Sequence, residues 1–178
     1  MRSLLVALLC CAACAAPSDK SAAPDSSDVL PFGRPDTSVF LPATHMSILG
    51  VTIRATEAQV RSALGSPADS TEPQEVRSGD STFDWHYAGI QVSFDGHRVY
   101  NLQCLAARCV TAAGVRIGSP QADVLRAYGP GFRGYHRSND VLIYYSRART
   151  WRMVFIFTAG RVTRMYLECD WPPVWARP

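Results

Sequence analysis

The stretch Gly50-Val51-Thr52-Ile53-Arg54-Ala55-Thr56-Glu57-Ala58-Gln59-Val60-Arg61-Ser62-Ala63-Leu64-Gly65 decides how this sequence is read. It returns 64 residues later as Gly114-Val115-Arg116-Ile117-Gly118-Ser119-Pro120-Gln121-Ala122-Asp123-Val124-Leu125-Arg126-Ala127-Tyr128-Gly129. Seven of the sixteen positions are identical, namely Gly50, Val51, Ile53, Ala58, Val60, Ala63, Gly65 and their counterparts. Downstream, Arg77-Ser78-Gly79-Asp80 is echoed by Arg137-Ser138-Asn139-Asp140, and Asp95-Gly96 by Ala159-Gly160. Order is preserved throughout, which points to duplication of one supersecondary unit.

Each unit reads as a short helix followed by strands. Thr56 and Gln59 have the spacing of a capping box, and Ser119 with Pro120 marks the second helix start. Val60, Ala63 and Leu64 share one helical face, as do Val124, Ala127 and Tyr128. Gly65 and Gly129 are expected to end the helices as left-handed caps. Beyond them apolar residues alternate, as in Ile90, Val92 and Phe94 or Met165, Leu167 and Cys169, with turn residues between the runs. A helix of about nine residues is too short to stand alone. The expectation is an α+β domain of two tandem helix-plus-antiparallel-strand repeats. They form one roughly eight-stranded sheet, with both helices on one face and the other face open. Its repeats span residues 46–110 and 111–178, the second including a C-terminal docking tail with Trp171 and Trp175.

The N-terminus carries a different message. Arg2 precedes the apolar run Leu4–Leu9 and the small residues that follow, the pattern of a secretory signal. Cys11-Ala12-Ala13-Cys14 resembles the lipobox of bacterial lipoproteins, although Cys11 stands where leucine is usual. That resemblance implies cleavage after residue 13 and lipidation of Cys14. It also implies anchoring in the outer membrane facing the periplasm, since Ala15 is not an inner-membrane retention signal. The alternative is ordinary cleavage near Ala16 and a soluble product. Residues 14–45, with Pro17, Pro24, Pro31, Pro35 and Pro42 among Ser, Asp and Ala, read as a disordered tether.

Three cysteines remain in the folded part. In an oxidising compartment the close pair Cys104 and Cys109 is expected to form a small-loop disulfide, adding about 2 kcal/mol through chain entropy. Cys169 is then unpaired, or takes the place of Cys109. A metal site built from Cys104, Cys109 and His97 lacks a second ligand cluster, so no metal or other cofactor is called for.

The signature G-[VI]-x-[IV]-G-x-[PS]-x-x-x-V-x-x-x-[YL]-G, met by residues 114–130 and, except at Arg54 and Thr56, by residues 50–65, resembles the repeats of secreted beta-lactamase inhibitor proteins. It also resembles the small outer-membrane-assembly lipoproteins of the SmpA/OmlA (BamE) type. The assembly lipoproteins carry one such repeat and the inhibitors two. The resemblance implies a non-enzymatic, protein-binding role, often through an open sheet face. No inhibitory loop is recognisable here.

Chemistry is sparse. No Gly-x-Ser-x-Gly elbow, His-Glu-x-x-His helix or phosphate loop occurs, and no Cys-x-x-Cys beyond Cys11–Cys14 at the N-terminus. Asp84 and His86 share a face of a predicted strand, the only pair from which an enzymatic reading starts; surface hydrogen bonding is the plainer reading.

Two features suggest binding. Residues 50–113 hold five arginines against seven acids, a net of −2, whereas residues 114–170 hold nine against four, a net of +5. The basic half centres on a hairpin tip, where Arg147, Arg149 and Arg152 flank Trp151 and suit anionic lipid or an acidic protein. Strand aromatics, among them Tyr145 and Phe155, are the second feature. Adjacent members such as Tyr144 and Tyr145 point to opposite faces, so both are not expected in the core, and some supply contacts on the open face. The expectation is therefore an exported, lipid-anchored, non-catalytic binding protein with an envelope protein as partner and no nucleic acid. An inhibitor of a secreted hydrolase is the alternative.

Overall fold

The computed structural model describes residues 30–31, 40–75, 81–136, 139–147 and 151–169. Lipidation at Cys14, most of the tether, Arg149 and the docking tail lie outside the described residues. The chain order is β1 (Leu30–Pro31), a 3-10 turn (Ala43–His45), β2 (Ser47–Ile48), β3 (Val51–Thr52) and α1 (Glu57–Leu64). Then come β4 (Asp69–Ser70), β5 (Gln74–Glu75), β6 (Ser81–Tyr87), β7 (Ile90–Asp95) and β8 (Arg98–Cys104). They are followed by α2 (Gln121–Tyr128), β9 (Phe132–His136), β10 (Asn139–Tyr145), β11 (Trp151–Thr158) and β12 (Arg161–Cys169).

Ten strands form one antiparallel sheet in the order β1-β9-β10-β11-β12-β8-β7-β6-β4, with β5 also paired to β6. The expected architecture needs correcting. The protein is predominantly β, and it is not a balanced pairing of helix and strands in each half with helices on one face. The physical reason lies in the strands. The helices have eight residues each and bury only Val60 in α1 and Val124 and Tyr128 in α2. Strands β10 and β11 are buried at nearly every position in both phases. A strand shielded on both sides carries no polar alternation.

The main core lies on one sheet face. Trp85, Val92, Leu102, Leu167, Met153 and Tyr144 line up in a row across six strands, all buried. The opposite face carries a second cluster over β9 to β12, formed by Phe132, Val141, Ile143, Tyr145, Val154, Ile156 and Tyr166, with Phe40 packed on it. Tyr144 and Tyr145 are therefore both fully buried, one in each core. The expectation that one of them is surface-exposed fails because this half of the sheet has no bare face. Part of the expected tether also belongs to the fold. β1 pairs with β9, and Leu41 is buried where its N–H donates to the Tyr145 carbonyl at 2.8 Å.

Local signals are met unevenly. Thr56 and Gln59 form the capping box, each receiving the other's backbone N–H. At α2 the cap is Pro120, without a side-chain bond, while Ser119 Oγ accepts from the Arg116 N–H. Gly65 (φ 84°, ψ −164°) and Gly129 (φ 77°, ψ −168°) do follow the helices, yet in the extended positive-φ region essentially confined to glycine. A tyrosine hydroxyl fastens each: Tyr87 donates to the Gly65 carbonyl at 3.2 Å and Tyr144 to that of Gly129 at 2.9 Å. Two-residue turns, Gly96-His97 and Ala159-Gly160, have positive φ at both positions, as tight antiparallel hairpins require. Each follows a register shift, at Ser93/Phe94 and at Ile156/Phe157.

Candidate functional site

The sheet registers fix which side chains share the second face. One row runs Asp84, Ser93, Asn101, Glu168, Arg152, Tyr145 from β6 to β10. The next runs His86, Gln91, Gln103, Tyr166, Val154, Ile143, Phe132 from β6 to β9. Side chains two apart in a strand point the same way, so both rows lie on one surface. Its β6–β8 half is polar and mostly half-buried, and its β9–β11 half is apolar and sealed. At the seam, Gln103 Nε2 donates to the Tyr166 hydroxyl at 3.3 Å. Farther out, Gln91 Nε2 donates to Asp84 Oδ2 at 3.0 Å.

Arg152 and Glu168 sit beside this seam as a buried ion pair, the arginine Nε donating to the carboxylate. Their side chains are 5% and 7% exposed, so neither charge is offered to a partner as it stands. This changes the sequence-derived picture of the basic tip. Arg152 is neutralised inside the protein. Phe155 lies in the main core and Tyr145 in the second. Trp151 is half-buried against the main core, and its backbone closes the hairpin with Ser146 (2.8 and 3.2 Å). Arg147 alone of the described tip residues is exposed. The sequence does carry a signal for Arg152: it shares strand phase with Val154 and Ile156, so it faces their core. Its partner depends on a register that crosses a bulge, which spacing does not reveal.

The disulfide is formed. Cys104 and Cys109 are bonded with Cα atoms 6.1 Å apart, and Cys169 is not in a disulfide. The bridge closes the turn leading from β8 toward α2, and both half-cystines are buried.

Asp84 and His86 do share a face, in register with Ser93 and Gln91. The Asp84 carboxylate is held by Gln91, and no hydrogen bond joins His86 to Asp84 or Ser93. Among the described residues no group of three metal-ligating side chains converges, and no helix is long and apolar enough to cross a membrane. Burial pushes the hydroxyls of Tyr144, Tyr128, Tyr166 and Tyr87 above the ordinary tyrosine range; the Tyr128 phenol raises Tyr144 further. The Tyr87, Tyr144 and Tyr166 hydroxyls among them are hydrogen-bonding elements of the fold.

No family model matches this chain, and no curated protein does either. Two solved structures are similar at low level. An extracellular protein containing a SCP domain from Bacillus anthracis str. Ames aligns with TM-score 0.43 and 10% identity. The alignment covers 66% of this chain and 44% of that one, so this chain spans less than half the length of that protein. The DUF4309 family protein YjgB from Bacillus subtilis subsp. subtilis str. 168 aligns with TM-score 0.39 and 14% identity, over 75% and 89% of the two chains. Neither likeness is strong enough to carry an argument about function.

Proposed function

We propose that this is an exported, lipid-anchored binding protein of the bacterial envelope that docks another envelope protein on the β6–β8 half of its second sheet face. The observation that carries the reading is the division of that face. One half is closed over an apolar core. The other presents Asp84, His86, Gln91, Asn101 and Gln103, side by side and half-buried, on a rigid sheet. Side chains held in register on a sheet lose little freedom on binding, which favours recognition by hydrogen bonds. The Cys104–Cys109 bridge supports an oxidising compartment. Arg147, exposed at the β10–β11 tip, is a separate point for anionic lipid.

The test is photo-crosslinking in intact cells, with a reactive residue placed at Gln91, at Gln103, or at Leu125 on exposed helix surface. Discrete adducts from the two sheet positions, lost on Asn101→Arg and absent from position 125, support the reading. Equal adducts from all three positions, or none from the sheet, overturn it. Palmitate labelling of wild type and Cys14→Ala examines the anchor separately; equal labelling rejects Cys14.

A further inference from the structure

Two arginines meet at one corner of the fold with no carboxylate between them. Arg61, in the last turn of α1, has its guanidinium carbon 4.5 Å over the ring of the buried Trp85. Two residues along β6, on the same side of the sheet, the Tyr87 hydroxyl donates to the Gly65 carbonyl just past α1. Arg108 comes from another element, the loop closed by Cys104 and Cys109. That loop is seated on the turn after Tyr87. The Leu105 and Ala106 N–H groups both donate to the Gly89 carbonyl, at 2.8 and 3.1 Å. Ala106 packs so closely that a side chain on Gly89 would meet it at 3.1 Å. Arg61 and then Arg108 draw the Tyr87 hydroxyl toward ionisation, against the larger effect of burial, so both guanidiniums lie within electrostatic reach of one oxygen.

Among the described residues these charges go unanswered. Both arginines are exposed, and no described ion pair or hydrogen bond includes either side chain. The acids on the elements that build the corner are engaged elsewhere. Glu57, one turn before Arg61, is bonded to His97 at 2.7 Å. Asp69 lies in register with His86 on the second face, and Asp84 on that face accepts from Gln91. Like charges gathered at one place repel, and an anion between them turns that repulsion into attraction.

We infer that Arg61 and Arg108, above Trp85 and Tyr87, form a subsite for a phosphoryl group carrying two negative charges, borne by a lipid headgroup or by a soluble phosphate. The subsite lies on the main-core side of the sheet, so it is separate from the docking face proposed above and does not depend on it. Two guanidiniums from different elements match a dianion with several oxygens, whereas a lone carboxylate balances one of them. The cation–π contact with Trp85 restrains Arg61 without giving its N–H groups an oxygen to bind. Tyr87 has given its hydrogen to Gly65, so the two arginines supply the recognition.

The experiment is an NMR titration of the arginine Nε–Hε signals in the intact folded protein, at constant ionic strength against chloride. It is run at about pH 8, where phosphate monoesters are dianions. The probes are inorganic phosphate, glycerol 1-phosphate, submicellar dihexanoyl phosphatidic acid and acetate. The Arg61 and Arg108 signals are expected to shift together and saturably with all three phosphates, half-way at on the order of 1 mM. Acetate should bind about tenfold more weakly or less, and the exposed Arg116 should drift without saturating. Arg108→Gln, at an exposed side chain, should melt with wild type and weaken phosphate binding about tenfold, the loss of one charge-assisted bond. Tighter binding of the dihexanoyl lipid than of glycerol 1-phosphate supports the subsite with a lipid headgroup as the source. Equal or weaker binding of the lipid supports it with a soluble phosphate. Linear drift of both signals, saturation of one arginine alone, acetate binding as tight as phosphate, or undiminished phosphate binding in Arg108→Gln each overturns the inference.

Discussion

Breaking the Arg152–Glu168 pair is expected to cost the protein much of its stability. Both side chains are under a tenth exposed, on a face shared with Val154, Ile156 and Tyr145. Glu168→Gln keeps the shape and removes the negative charge that the Arg152 guanidinium is bonded to. Loss of one member of a buried pair costs on the order of 3–5 kcal/mol. For a domain of this size that lowers the melting temperature by roughly 10–15 °C. Arg152→Met alone should cost a similar amount, because it strands the carboxylate. The double variant Arg152→Met, Glu168→Leu should recover most of the loss, since apolar replacement of a buried pair is often neutral or stabilising by about 1–4 kcal/mol. Urea unfolding of these proteins, with Glu168→Leu added to close the cycle, gives the coupling energy directly. Single variants costing below about 1 kcal/mol, the range of exposed pairs, would refute the reasoning and return Arg152 to the surface as a binding residue.

Other outcomes follow from the same structure. Stability should fall as pH rises beyond about 10. The four tyrosines with raised values favour the neutral form in the fold, so their contribution is full below the unfolded value near 10 and lost as pH climbs through the folded values. Absorbance at 295 nm should show them ionising only as the protein unfolds. Thr56→Ala should cost about 1 kcal/mol by removing the capping box, whereas Ser119→Ala, at a position that does not cap, should cost less. Gly131→Ala should cost about 1–3 kcal/mol, because the added carbon would lie 2.7 Å from the Tyr144 ring. Melting curves separate these variants.

The sequence discloses this protein unevenly, and the divide is between local and long-range order. The Thr56 box, the glycines after both helices, the Ala159-Gly160 turn and the Cys104–Cys109 bridge each depend on a few neighbouring residues and can be found by reading along the chain, whereas the first hairpin turns at Gly96-His97, one residue beyond the Asp95-Gly96 that the repeat suggests. The second core cannot be found in this way, because Val141, Ile143 and Tyr145 acquire their cover from β11, β12 and Phe40 far away in sequence. Alternation is a poor guide on a strand covered on both sides. Tyr144 beside Tyr145 looks like an inside–outside pair and is two insides. Ser119 is a helix cap by pattern, yet Pro120, extended at ψ 153°, moves the helix start one residue on. Arg152 and Arg164 look alike in a charge count. Only the register separates them, giving one a carboxylate and leaving the other without. The polar half of the second face was visible only as isolated residues, since its rows cross strands that are remote in the chain.

The shape of the sheet margins has one more consequence. At one end β6 is bordered by two dipeptide strands, Asp69–Ser70 and Gln74–Glu75, whose side chains are exposed and include two acids. At the other, β9 is bordered by Leu30–Pro31, and proline has no amide hydrogen to lend to a newcomer. Such margins resist strand-by-strand growth from one molecule to the next. Many copies crowded together would stay separate particles instead of fusing into a filament.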